Sequence, residues 1–278
     1  ATFLGAFLSL VMLIFTVVQL LIGIISIFVT QTIMTMKDIH TGKLLSASMK
    51  MAELPDIDSG LLGVMRRLGI RFGFGERTVS EVCAENKINP NTLLLICKIY
   101  ISDNYVPSEE ELSKNSIGDI VTYLHNSHDF YTGNALANLE NDVKAMADTL
   151  DEKHRKIIMK FYSEYKAEIL KHFEYEEKTV FPYIMTLENG AADSNGYNID
   201  KYEEIHSDID EKLNDLKSIV MKYMPPTCDD NLIQNVLARL YAFEHDISKH
   251  TFIEDGILIP MIASKERELR ESGKINER

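Results

Sequence analysis

The sequence predicts an all-α protein: an antiparallel four-helix bundle, preceded by a small helical unit and an apolar N-terminal segment. Three observations carry this. Residues 116–270 hold four long runs of helical periodicity, with few strand-like alternations among them. In each run apolar residues recur three and four apart, the stripe of a helix that buries one face. The links between runs are short and rich in breakers, so consecutive helices are antiparallel neighbours in an up-down-up-down bundle.

Taken in order, residues 1–36 carry no charge, and residues 3–29 are long enough to span a bilayer as a helix. A signal peptide fits less well, because no basic stretch precedes the apolar run and no small-residue cleavage site follows where one is needed. The chain starts with Ala, so the segment is read either as a membrane anchor or as an over-extension of upstream sequence, with Met34, Met36, Met49 and Met51 as candidate starts. As an anchor it would leave a cytoplasmic body, since Lys37, Lys43 and Lys50 follow it. Residues 37–55 are mixed in character, end at Pro55 and read as a linker.

Residues 56–105 form the small unit. Ile57, Leu61, Val64 and Leu68 recur at helical spacing before Gly69, Gly73 and Gly75 break the chain. Thr78 with Glu81 is a capping box opening a helix over 79–86, and Asn89-Pro90-Asn91 is a turn before an apolar helix over 93–100. The polar, glutamate-dense stretch 102–115, with Pro107, is the domain boundary. The bundle helices then span 117–150, 152–187, 199–224 and 231–271, separated by Asn189-Gly190, Asn195-Gly196 and Pro225-Pro226. Pro182 and Pro260 fall inside two of these runs and are expected to end or kink them.

A net charge of −13 and the lack of a basic stripe argue against nucleic-acid binding. Cys83, Cys97 and Cys228 are three, widely spaced, and form neither a disulfide framework nor a C-x-x-C site, which places the chain by default in the cytoplasm.

Two stretches 78 residues apart repeat one pattern, H-x-x-x-E-x-x-x-x-[F/I]-P-x-I, from His172 and Glu176 to Ile184 and from His250 and Glu254 to Ile262. His and Glu four apart share a helix face. Each copy has a histidine upstream: His125 lies 47 residues before His172, and His206 lies 44 before His250. His125 follows Ile117 and Val121 on an apolar stripe, and the other three histidines follow similar stripes, so all four are expected to point into the bundle. A single histidine on such a face is more often a hydrogen-bonded core residue than a ligand. Four of them, joined by two inward glutamates with no inward Lys or Arg at their level, call for a cation.

Imidazole with carboxylate and no thiolate suits iron or manganese, with zinc less favoured. Six ligands for two ions leave both glutamates as bridges and open positions for small molecules. Iron is the choice that gives those positions redox chemistry. His128, one turn from His125, is read as supporting a ligand or packing the core, with metal binding as its minor alternative. Asp129 and Asp210, four residues after His125 and His206, are read as supporting a ligand or facing solvent, with metal binding as their minor alternative.

Together these residues resemble the hemerythrin-like superfamily, and within it the iron–sulfur cluster repair di-iron proteins, over residues 56–265. The doubled motif with its upstream histidines is the specific part. The resemblance implies a hemerythrin-like bundle in which two non-haem irons are held by His125, His172, Glu176, His206, His250 and Glu254. It also extends to residues 69–83, where Gly69-Ile70-Arg71-Phe72-Gly73-Phe74-Gly75 precedes Thr78 and Cys83. Gly73 and Phe74 stand where that family usually carries adjacent cysteines, which argues against a thiol-dependent role here. The implied function is defence against oxidative and nitrosative stress by repair of damaged iron–sulfur clusters. O2 and NO are the small-molecule partners, iron–sulfur proteins the clients, and a homodimer is allowed. Whether the chain turns over as an enzyme is left open. The alternative is an O2- or NO-binding sensor without turnover.

Overall fold

The computed structural model describes residues 45–190, Ile199 and residues 207–273, the side chains of 207–210 excepted. The apolar segment and the anchor it suggests lie outside the described residues, as does His206. Among the described residues no helix is long and apolar enough to cross a membrane, and every regular element is helical.

The small unit contains α1 (Leu61–Arg67), α2 (Val79–Asn86) and α3 (Pro90–Ile101). Thr78 caps α2 with a full capping box: its hydroxyl accepts from the Glu81 N–H at 3.2 Å, and Glu81 accepts from the Thr78 N–H at 2.7 Å. Asn89 caps α3 through the Asn91 N–H, with Pro90 in the first turn, where a missing N–H costs nothing. Between α1 and α2 the chain turns at Gly69 and Gly73, whose φ angles of 78° and 97° exclude a comfortable Cβ.

The stretch read as linker is not one over residues 45–55. Met51 and Leu54 are fully buried. The first-turn N–H groups of α2 have no acceptor in their own helix, and this stretch supplies one to two of them. Val79 donates to the Met49 carbonyl at 2.9 Å and Ser80 to that of Ala47 at 2.8 Å. The polar look of Lys50 and Glu53 hid a segment whose backbone completes a helix start.

The bundle has four rods. The first joins α4 (Ile117–Phe130) to α5 (Leu136–Ala147) through a π turn at Tyr131–Ala135. The second joins α6 (Glu152–Tyr175) to α7 (Phe181–Glu188) through a π turn at Glu176–Val180. The third is α8 (Ser207–Lys222). The fourth joins α9 (Asp230–Ile253) to α10 (Ile259–Glu271) through a π turn at Glu254–Leu258. Ser116, Asp151 and Asp229 cap the starts of the first, second and fourth rods. Each rod packs on the next and the fourth returns to the first, closing a ring. The first rod runs antiparallel to both neighbours: Glu140 pairs with Lys166 while His128 meets Glu176, and Asp142 pairs with Arg239 while His128 meets His250.

Neither Pro182 nor Pro260 ends its rod. Each sits in the first turn of α7 or α10, just after a π turn that has already displaced the hydrogen-bond ladder. The missing proline N–H therefore falls where the regular i to i−4 bonding is interrupted anyway.

Two hydrophobic clusters fill the interior. One, with Leu139, Val143, Ile158, Tyr162, Leu216, Val236 and Leu240, occupies the end of the bundle remote from the N-terminal unit. The other joins the unit's Leu61, Val64, Leu93 and Ile96 to Ile120, Tyr123, Ile184, Ile257 and Ile262 of the bundle. The doubled motif lies at the seam: Phe173 and Ile247 belong to the first cluster, Val180, Phe181 and Ile253 to the second.

Candidate metal centre

The π turns set the site. Glu176 and Glu254 each open one, and the third begins three residues after His128. A π turn inserts a residue without breaking the rod, so the face presented inward shifts by about 100° at that level. His172 and His250 lie one turn before their glutamates and share their faces. His172 Nε2 is 3.1 Å from Glu176 Oε1, and His250 Nε2 is 3.0 Å from Glu254 Oε1.

The fourth side chain to reach the centre is His128. Its Nε2 lies 3.1 Å from Glu176 Oε2 and 3.1 Å from His250 Nε2. His128, Glu176, His250 and Glu254 thus offer ligand atoms all within 4.8 Å of one another, every one buried. Phe173 stacks on the His128 ring with centroids 4.2 Å apart, and Tyr131 meets the His250 ring edge-on at 5.4 Å.

Of the six residues expected as ligands, the structure gathers Glu176, His250 and Glu254 at one point, and His172 meets them through Glu176. His206 lies outside the described residues. His125 does not point inward. It is 52% exposed and its Nδ1 donates to Glu177 Oε2 at 2.8 Å. Its Nε2 lies 3.9 Å from Asp129, itself largely exposed. Asp129 therefore faces solvent, and the side chain of Asp210 is not described.

The exchange of His125 for His128 has a geometric cause. Steps of four residues each advance about 40° around a helix. The buried face of the first rod carries Ile120, Tyr123, Leu124, Ser127, His128 and Tyr131, and His125, one residue and about 100° on from Leu124, lies off that face, with Ile117 and Val121 at its edge. The sequence did hold the signal: His206 stands 78 residues after His128, the same offset that relates His172 to His250.

Glu177, which the sequence reading passed over, supports the site from outside. One oxygen accepts from His128 Nδ1 at 2.7 Å, the other from His125. With Nδ1 donating to Glu177, His128 would, once its Nε2 proton is given up to a metal, turn that nitrogen's lone pair to the centre, the arrangement a ligating histidine needs.

Buried carboxylates set the electrostatics of the centre. Burial pushes the His128 imidazole down, but its bonds to Glu176 and Glu177 and the charges of Glu176 and Glu254 outweigh burial and raise it to about 9. Burial, and then the charge on His128, press His250 well below its ordinary range. Burial alone would raise Glu177, yet its bonds to His128 and His125 hold it below the usual carboxylate value. The buried cations Arg67 and Lys249 are committed to Asp246 and Asp103. Two imidazole nitrogens facing each other beside two buried carboxylates are an acceptor-rich point, and His250 Nδ1 has no hydrogen-bond partner among the described residues. That donor set fits a metal ion.

Residues 134–262 match the family described as the hemerythrin HHE cation binding domain. Most of the bundle is thus similar to a hemerythrin domain. The match takes in His172, Glu176, His250 and Glu254 and begins after His128. The chain is also 22% identical over 199 residues to the iron–sulfur cluster repair protein ScdA of Staphylococcus haemolyticus, a span of 70% of this chain and 89% of that one. The similarity is distant, but it extends beyond the hemerythrin domain itself. In the small unit Cys83 and Cys97 are buried, and burial pushes the Cys83 thiol up to about 11, Asp119 adding to it. Neither is a ready thiolate.

Proposed function

We propose that the chain is a non-haem di-iron protein of oxidative and nitrosative stress defence that restores iron to damaged iron–sulfur clusters. The observation that supports this most is Glu176: a fully buried carboxylate with one oxygen 3.1 Å from His128 and the other 3.1 Å from His172. A carboxylate so placed between two imidazoles is disposed to bridge two ions. The proposed ligands are His128, His172, Glu176, His250 and Glu254, with His206 as the counterpart of His128 in the repeat. In this set His128 takes the place first given to His125. An iron pair would supply redox chemistry and open positions for O2 or NO.

The chain's own residues do the rest. Glu177 fixes the His128 tautomer. Glu176 and Glu254 offset cationic charge in a region that Tyr131, Phe173, Phe181 and Ile253 keep dry, a lining that admits neutral diatomics more readily than ions. The distant relative's name, an iron–sulfur cluster repair protein, supports iron–sulfur proteins as the client class.

The test is iron per chain and the visible spectrum of the purified protein, followed by addition to an iron–sulfur enzyme damaged with nitric oxide. About two irons per chain, lost in Glu176→Ala/Glu254→Ala, with recovery of the damaged enzyme's activity, is the expected outcome. A folded protein without iron, or with manganese or zinc instead, overturns the di-iron reading. A second reading, a sensor that binds O2 or NO without turnover, is favoured by the absence of reactive thiols in the small unit. It predicts stoichiometric gas binding and no enzyme recovery.

A further inference from the structure

We propose that the N-terminal unit is a clamp on the metal centre, and that Arg67 is the residue through which it positions His250. This rests on the metal-binding reading above. Arg67 ends α1 and is buried at 6% exposure. Its guanidinium meets Asp246 of α9 fork to fork, Nη1 to Oδ1 at 2.9 Å and Nη2 to Oδ2. Tyr100, from α3, donates to the same Oδ1 at 2.7 Å and accepts from Arg67 at 2.9 Å. The Tyr123 hydroxyl is 2.7 Å from that of Tyr100. A bidentate, buried pair of this kind is the geometry that fixes position as well as charge.

Asp246 stands one turn before His250 on α9, on the same face. A second path runs through Tyr131. The Arg67 guanidinium lies 5.1 Å from the centre of its ring, the Tyr131 hydroxyl reaches the Asp246 carbonyl at 3.4 Å, and the same ring is edge-on to His250. The residue next to His250 is held as well. Lys249 donates to the Ile99 carbonyl at 2.8 Å and pairs with Asp103, both in or just after α3. The helical turn from Asp246 to His250 therefore points one side chain at the metal centre and two into the N-terminal unit.

Ligand geometry tolerates errors of only about half an ångström, so the docked unit sets how well His250 can hold an ion. Coupling of this kind is reciprocal: an ion on His250 also holds the unit in place, and undocking of the unit loosens the ion. Metal retention becomes conditional on docking, which suits a site whose proposed task is to part with iron.

The experiment uses the full chain loaded with iron(II). Hydrogen exchange over 93–101 is measured with and without the metal, and the rate of iron loss to a chelator is compared between wild type and Arg67→Met/Asp246→Leu. The double variant replaces a buried ion pair with apolar side chains of similar volume, a change that often leaves stability intact. Expected are slower exchange over 93–101 when iron is bound, and iron loss about 10–100-fold faster in the variant while its metal-free unfolding stays near wild type. Arg67→Lys, which keeps the charge but not the fork, falls between. Iron that leaves exchange over 93–101 unchanged overturns the clamp even if the variant folds poorly. A stable variant that releases iron at the wild-type rate overturns it too. Wild type that binds no metal sinks the metal reading together with the clamp, whereas wild type that binds metal without coupling sinks the clamp alone.

Discussion

Replacing Glu254 with Gln should make the metal-free protein more stable and the metal-loaded protein less so. Glu254 is fully buried, and its neighbour His250, at 3.0 Å, is kept neutral by burial and by the His128 charge. The positive charge at the centre resides on His128, which is already bonded to Glu176 and Glu177. Keeping a carboxylate in the interior costs several kcal/mol even after relaxation. Attraction to the His128 cation, at an effective dielectric constant of about 20, offsets about 3 kcal/mol of that. The balance favours the neutral amide by about 1–3 kcal/mol, which at this chain length raises Tm by about 2–12 °C. With iron(II) at about 1,000 times its Kd, wild type gains about 4.1 kcal/mol from binding, more than the variant's advantage, and the variant, short of a ligand, gains little. Thermal unfolding in chelator and in excess iron(II) should therefore give opposite rank orders. A variant that melts below wild type in chelator would overturn the buried-charge argument for the metal.

Other consequences are as direct. His128→Ala should abolish iron binding at wild-type stoichiometry while His125→Ala leaves it unchanged, as iron per chain will show. Glu177→Gln, which removes the acceptor at His128 Nδ1, should weaken metal affinity about 10–100-fold without unfolding the bundle. Asp255 stands 78 residues after Glu177, so Asp255→Asn should match it in a chelator competition. Acid should loosen the clamp. Burial opposes ionisation of Asp246, but its bonds to Arg67 and Tyr100 hold its pKa below the ordinary 3.8. A carboxylate with a depressed folded pKa contributes fully above its unfolded value of about 3.9 and loses that contribution as pH falls through the folded one. The stability gap between wild type and Asp246→Asn, read by urea unfolding, should thus be constant near neutrality and narrow below about pH 4.

Much of the fold was legible because caps and breakers act locally. The first rod, expected over 117–150, is helical from Ile117 to Ala147, and the second and fourth start at Glu152 and Asp230, each beside its capping aspartate. The His-Glu turns of the second and fourth rods, His172 with Glu176 and His250 with Glu254, were legible for the same reason, since four residues is a property of the helix alone. What stayed hidden depends on partners. Met51 and Leu54 look like linker until the open N–H groups of α2 are seen to need their stretch of chain. The π turns leave a 3.6-residue pattern intact on either side and so escape periodicity. Glu177, adjacent to a ligand, owes its role to two histidines on another rod, and Arg67 to an aspartate 179 residues away.

The repeat invites the view that the centre is two equivalent halves, and the structure argues against it. By sequence, His128 answers to His206, His172 to His250, Glu176 to Glu254 and Pro182 to Pro260, and the π turns at Glu176 and Glu254 match. Yet His250 is 1% exposed against 8% for His172, and the N-terminal unit's ion pairs, Arg67–Asp246 and Asp103–Lys249, reach the fourth rod, beside His250. An ion held by the second rod's His172 would sit nearer solvent, and one held by His250 would sit deeper and under the clamp. Equal ligand types would then give unequal retention: an ion at His172 would leave first, and one at His250 at a rate set by docking of the N-terminal unit. Biphasic iron loss to chelator, with Arg67→Met/Asp246→Leu speeding the slow phase alone, is the signature this asymmetry requires; a single phase would restore the equivalence of the halves.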